Sequence, residues 1–224
     1  MEKKRTTVFL VRHTEVHNPG EILYGRIPRF RLSELGRRQA EATAEVLSGE
    51  SLAAIFSSPQ LRARQTAKAI AARHPDMKVH ITKILAEVVT GWQGRPYSDL
   101  HAIEFDFYSH PVNPDDETVA QLWDRVRSFV DMARRKYYGQ QVVGVTHGDL
   151  NFVARAGYLG MPVAVDSIRQ PHLYPGHGAI TRLTFERPED TYPVSVEYCD
   201  PNKDDPRWRD DWFAVPKQGL LVRG

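Results

Sequence analysis

Two short apolar runs, residues 8–11 and 142–145, each end in a polar cluster, the first in Arg12-His13 and the second in Thr146-His147-Gly148. Runs of this kind fit strands buried on both faces. In open parallel sheets ligands bind outside the carboxyl ends of the strands, so both histidines and Arg12 are expected to face one site. Arg62 is expected to join them. Ile55 and Phe56 end another short strand at Ser57, and Ser58-Pro59 reads as the cap and first residue of a helix running to about residue 73. That puts Arg62 in the first turn, over the same sheet edge. Two guanidiniums, two imidazoles and a helix N-terminus suit a compact, highly charged anion such as a phosphoryl group, because the planar arginine fork donates paired hydrogen bonds to phosphate oxygens.

The elements that must position these residues alternate between strand and helix. Ser33 can cap a helix over residues 34–47 closed by Gly49, and residues 79–85 read as a third strand. Val119, Leu122, Val126, Phe129, Val130 and Ala133 repeat at helical spacing, giving an amphipathic helix over residues 117–138. Residues 151–159 can form a further helix, and residues 181–185 and 194–198 can add strands. The pattern predicts one α/β domain over residues 1–224, with a mostly parallel central sheet and helices on both faces. Residues 88–116, rich in aromatics and turn formers, read as an inserted lid, and residues 200–224 as a polar tail with no assigned element.

Composition narrows the function classes. Of 224 residues, 41% are hydrophobic and 26% charged. This is ordinary globular usage, and it excludes collagen, coiled coil and a disordered tail. Thirty Lys and Arg against 28 Asp and Glu leave a net charge of +2, too little to steer the molecule onto nucleic acid. The single cysteine, Cys199, excludes an intrachain disulfide and cysteine-based zinc motifs. No apolar run is long enough to span a bilayer and the N-terminus lacks a cleavable-signal pattern, so a cytoplasmic protein is expected.

Motifs along the chain resemble those of the histidine phosphatase superfamily, the group that includes the cofactor-dependent phosphoglycerate mutases and many phosphatases. Leu10-Val11-Arg12-His13-Thr14-Glu15 is similar to LVRHGE, with Thr14 where the family has glycine. Leu32-Ser33-Glu34-Leu35-Gly36 with Gln39-Ala40 resembles L-T-x-x-G-x-x-Q-A, and Ser57-Ser58-Pro59-Gln60-Leu61-Arg62-Ala63 with Gln65-Thr66-Ala67 resembles S-S-P-x-x-R-A-x-Q-T-A. Leu85-Ala86-Glu87 with Gly91, Glu117 with Arg125, and Val145-Thr146-His147-Gly148 follow in the same order. The resemblance implies a phosphoglycerate mutase-like fold in which His13 becomes phosphorylated. It makes Arg12, Arg62 and His147 the phosphoryl-binding groups, Glu87 the proton donor, and Asn18, Gly25 and Gly148 substrate-pocket residues. It implies no metal and no other cofactor, and a small phosphorylated metabolite as partner.

The expected activity is hydrolysis of a small phosphomonoester through phosphohistidine, with mutase-type phosphoryl transfer as the alternative. The resembling mutases carry L-N-E-R-H-Y-G and R-R-S-x-D-x-P-P-P, and neither residues 85–91 nor residues 110–114 resemble them. Two other classes use the same residues differently: a metallohydrolase built on His13 with His17 and His147 with Asp149, and a non-catalytic binder of phosphorylated ligands. His17, His74, His80, His101, His110, His172 and His177 are read as structural. Arg26, Arg29, Arg31, Arg37 and Arg38 are read as a solvated face, and the aromatics between Trp92 and Tyr108 as either a substrate lid or a satellite core.

Overall fold

Strand β1 (Thr6–Arg12) sends Val8 and Leu10 to one side of the sheet and Phe9 and Val11 to the other, and all four are buried. Apolar residues on both faces are what a central strand covered by helices on each side requires. The computed structural model describes residues 4–168 and 174–203. Its six-stranded sheet has the order β3-β2-β4-β1-β5-β6, with β2 (Leu52–Ser57), β3 (Val79–Ile81) and β4 (Gln141–Thr146). The pairs β1–β4, β2–β4 and β2–β3 are parallel, while β5 (Ile180–Phe185) runs antiparallel to β1 and β6 (Ser195–Cys199) antiparallel to β5. This is the expected mostly parallel architecture.

Helices α1 (Glu34–Leu47) and α2 (Leu61–Ala72) cover the face carrying Phe9, Val11, Val143 and Val145. The region expected as a lid contains one short helix, α3 (Tyr97–His101). The other face is covered by α4 (Val119–Lys136) and α5 (Gly148–Tyr158), packed on Val8, Leu10 and Val142. A short α6 (Val165–Ile168) follows α5. Among the described residues no helix is long and apolar enough to cross a membrane.

Several boundaries differ from the sequence reading, each for a local reason. β3 stops at Ile81, because Thr82 turns the chain into a single 3₁₀ turn, Lys83–Leu85, whose Leu85 enters the α4-side core. α1 ends on Ser48 in right-handed conformation, its hydroxyl donating to the Glu45 carbonyl oxygen, so Gly49 does not act as a left-handed cap. α2 begins at Leu61 after Gln60, leaving Ser58 free of the capping role expected of it. α4 starts where Thr118 and Gln121 form a reciprocal capping box. α5 starts at Gly148 and not near Asn151, which makes His147 its N-cap residue. The tail expected from residue 200 onward lies outside the described residues beyond residue 203, as does His172.

The register aligns Arg12 with Thr146 and Ser57 with Val145, so three parallel strands end together and release His13, His147 and Ser58 at one edge. Gly144 in β4 fits this centre closely: a Cβ there would lie 2.6 Å from the Phe129 ring of α4. Gly144→Ala is therefore expected to overpack the core and to lower unfolding free energy by about 1–3 kcal/mol, read from urea unfolding.

Candidate active site

His13 follows β1 directly and donates its backbone N–H to the Thr146 carbonyl oxygen at 2.9 Å. Its ring is buried, with Nδ1 2.8 Å from the Thr14 carbonyl oxygen. A carbonyl only accepts, so Nδ1 carries the proton and Nε2 keeps a lone pair. Thr14 is not in the left-handed region, so its Cβ is tolerated where the family has glycine, and its backbone N–H donates to the Thr66 hydroxyl.

Arg62, in the first turn of α2 and wholly buried, stands at the centre of the cluster. Its Nε is 3.2 Å from Nε2 of His13, and its Nη2 lies 3.1 Å from Oε2 of Glu87 and 3.2 Å from Nδ1 of His147. The same Nη2 donates to the Gly25 carbonyl oxygen at 2.8 Å, and the Tyr24 ring lies 4.5 Å from the guanidinium carbon. The two histidine rings are 5.1 Å apart. Arg12 lines the same cavity, with Nη1 donating to the Pro175 carbonyl oxygen and its guanidinium over Tyr174.

The remaining expected residues also converge. Gly25 has φ +40 and packs against Gln93, a place where a side chain would be strained. Asn18 lines the cavity, but its amide donates to the Ile22 carbonyl oxygen and the Tyr97 hydroxyl, so it ties its own loop to the lid. Gly148 lets Tyr174 pack against the start of α5. Glu87 has Oε2 3.0 Å from Nδ1 of His147, and its Oε1 accepts from the Val88 N–H.

Sequence reasoning missed what holds Glu87. Arg26 Nε donates to the Glu87 carbonyl oxygen at 2.7 Å, Arg125 donates to the Ile84 and Ala86 carbonyl oxygens, and Glu117 pairs with both arginines while accepting from the Val89 N–H. Arg26 thus belongs to the site's support, while Arg29, Arg31, Arg37 and Arg38 are exposed. Ser58 was missed too; its hydroxyl is 2.7 Å from Nε2 of His147. His177 was read as structural, yet its ring lies 6.0 Å from that of His13 and it lines the cavity. The rule of looking after strand ends could not find it, because β5 is antiparallel and brings its beginning to this edge. The aromatics between Trp92 and Tyr108 do both jobs: Trp92 and Phe107 are buried in the core, and Tyr97, Phe105, Phe107 and Tyr108 line the cavity, whose volume is about 1000 Å³.

The family model for the histidine phosphatase superfamily (branch 1) matches residues 8–194. The chain belongs to the histidine phosphatase superfamily. It is 38% identical over 150 residues to the uncharacterised protein Rv0525 of Mycobacterium tuberculosis, covering 64% of this chain and 74% of that protein. It is 31% identical over 172 residues to a metal-independent phosphoserine phosphatase of Arabidopsis thaliana, covering 71% of this chain and 70% of that one. Among solved structures, the mycobacterial glucosyl-3-phosphoglycerate phosphatase Rv2419c superposes with a TM-score of 0.71 at 25% identity, covering 87% of this chain and 97% of that one. These likenesses support a phosphatase of small phosphomonoesters.

The electrostatics of this histidine phosphatase favour neutral imidazoles. Burial lowers the His13 pKa well below 6.5, and Arg62, His147, Arg12 and His177 lower it further. Burial also lowers that of His147, to about 4, although Glu87 opposes the shift. Burial would raise the Glu87 pKa, but His147 and Arg62 reverse this and hold it ionised in the free site. Asp149, in the first turn of α5, has its pKa raised by burial and by Glu87, and accepts hydrogen bonds from Tyr108 and Tyr174. His13, Glu87 and His147 have donor atoms within 4.8 Å of one another. That set includes neither His17 nor Asp149, on which the metallohydrolase reading relied, and Arg62 holds a permanent positive charge within 3.2 Å of all three residues.

The depressed His147 pKa has a consequence for stability. Below pH 6.5 the unfolded chain takes up a proton that the folded site refuses until about pH 4. This contribution is therefore full above 6.5 and falls as pH drops through that window. Glu87 contributes little between pH 7 and 5, where it is ionised in the folded site and mostly ionised in the unfolded chain. Urea unfolding should show lower stability at pH 5 than at pH 7, with about 2 kcal/mol of the loss from His147 and further loss from His13 and His177, whose pKa values burial also lowers. His147→Asn should lose correspondingly less over the same interval.

Proposed function

We propose that the chain hydrolyses a small phosphomonoester through a phosphohistidine on His13, and the observation that supports this best is the placement of Arg62 beside Nε2 of His13, Glu87 and His147. A dianionic phosphoryl group would seat among Arg12, Arg62 and His147, where the two guanidiniums neutralise the charge that otherwise repels a nucleophile and the imidazole offers a hydrogen bond. Nε2 of His13, unprotonated because Nδ1 donates to Thr14, attacks phosphorus in line with the departing oxygen. Asn18, Gly25 and Gly148 shape the surrounding pocket.

Glu87 is the proposed proton donor, and its ionisation in the free site sets a condition on that role. The negative charge of a bound phosphoryl group competes for Arg62 and repels the carboxylate, raising its pKa. The protonated acid then gives its proton to the leaving alkoxide and takes one back from the water that attacks phosphohistidine. We propose the same cytoplasmic setting read from the sequence, with a small phosphorylated metabolite as partner.

Three measurements test this reading. Phosphate release should survive strong chelation; loss with chelator and recovery with zinc or manganese would restore the metallohydrolase reading. His13→Ala should remove nearly all turnover while keeping the fold, and normal turnover in that variant would overturn the assigned nucleophile. Glu87→Gln should slow phosphoryl transfer from alkyl esters far more than from p-nitrophenyl phosphate, whose leaving group needs no proton. Equal slowing with both esters would point to lost positioning.

A further inference from the structure

The cavity that serves the phosphoryl group extends well past it. At about 1000 Å³ it has room for a drug-sized alcohol beyond the phosphoryl site. The described lining includes aromatic side chains, Tyr97, Phe105, Phe107 and Tyr108 from the lid together with Tyr174. It also carries three carboxylates besides Glu87, namely Glu15, Glu21 and Asp149. Among the described lining residues Arg12 is the one lysine or arginine, and it faces the Pro175 carbonyl oxygen and Tyr174 next to the phosphoryl site. The lid backbone supports the same assignment. Glu104 and Phe105 have φ 51 and φ 59 respectively, a left-handed conformation that a bulky residue seldom adopts. The Glu104 and Phe105 N–H groups bond back to the His101 and Leu100 carbonyl oxygens, so the end of α3 holds Phe105 at the cavity wall.

We infer that this site selects phosphate monoesters of alcohols with a flat, uncharged apolar body, and discriminates against alcohols bearing a second anion such as a carboxylate or another phosphate. This inference rests on the phosphatase reading above. A second anion would meet aromatic faces and carboxylates, with no further lysine or arginine among the described lining to replace its lost hydration.

The test compares 2-phenylethyl phosphate with the same ester carrying a para-carboxylate, and with 3-phosphoglycerate. All three are esters of primary alcohols, and they differ in what lies beyond the ester. 2-Phenylethyl phosphate should show kcat/KM at least about tenfold higher than either ester that carries a second anion. Phe105→Ala should lower kcat/KM for 2-phenylethyl phosphate by roughly three- to tenfold while leaving inhibition by inorganic phosphate unchanged. Equal or better turnover of the anionic esters overturns the inferred class and leaves the phosphatase reading standing. A Phe105→Ala variant that weakens phosphate inhibition by the same factor overturns the role given to Phe105. Absence of His13-dependent phosphate release from every ester overturns the phosphatase reading, and this inference with it.

Discussion

A permanently charged guanidinium with no exposure to solvent is tolerated only if everything around it answers that charge. Arg62 is such a group, and the site is organised by what it demands. Glu87 supplies the opposite charge, the Gly25 carbonyl and the Tyr24 ring supply a dipole and a π face, and the two histidines stay neutral beside it. A protonated imidazole next to Arg62 would add a second buried cation. Burial, together with Arg62 beside it, keeps His13 uncharged and leaves Nε2 its lone pair, which is what the proposed attack on phosphorus needs.

Holding Glu87 against Arg62 needs a further ring of charge. Arg26 and Arg125 bond the main chain around Glu87, and Glu117 bonds both arginines. The carboxylate therefore sits on a segment fixed by its carbonyls. On the other side Asp149 accepts from Tyr108 of the lid and from Tyr174, tying both walls of the cavity to the helix that begins just after His147. The position of the lid and that of His147 are thereby linked through α5.

Much of the fold was legible because its signals are local. Val8 to Val11 and Val142 to Val145 bury both faces, the α4 stripe repeats at helical spacing, and Ser33 caps α1 where its side chain predicts. Boundaries failed where a tertiary partner overrode a local preference. Ser58 looks like a helix cap and lies beside His147 instead, and Leu85 continues an apolar strand pattern yet turns into the α4-side core. His177 escaped because strand direction, on which its approach to His13 depends, is not written in the residues around it.

By itself the sequence determined which residue types stand at the ends of which apolar runs, and hence that His13, Arg12 and His147 share one sheet edge with Arg62 above it. That follows from periodicity and from the way parallel strands end together. Only the tertiary structure decided the protonation and partnership of those groups: that His13 presents Nε2, that Glu87 is ionised in the free site, that Arg26 and Arg125 clamp it, and that aromatics and carboxylates line the cavity. These depend on burial and on distances between segments far apart in the chain, and the free energy of a charge is set by that surrounding space and not by its neighbours in sequence.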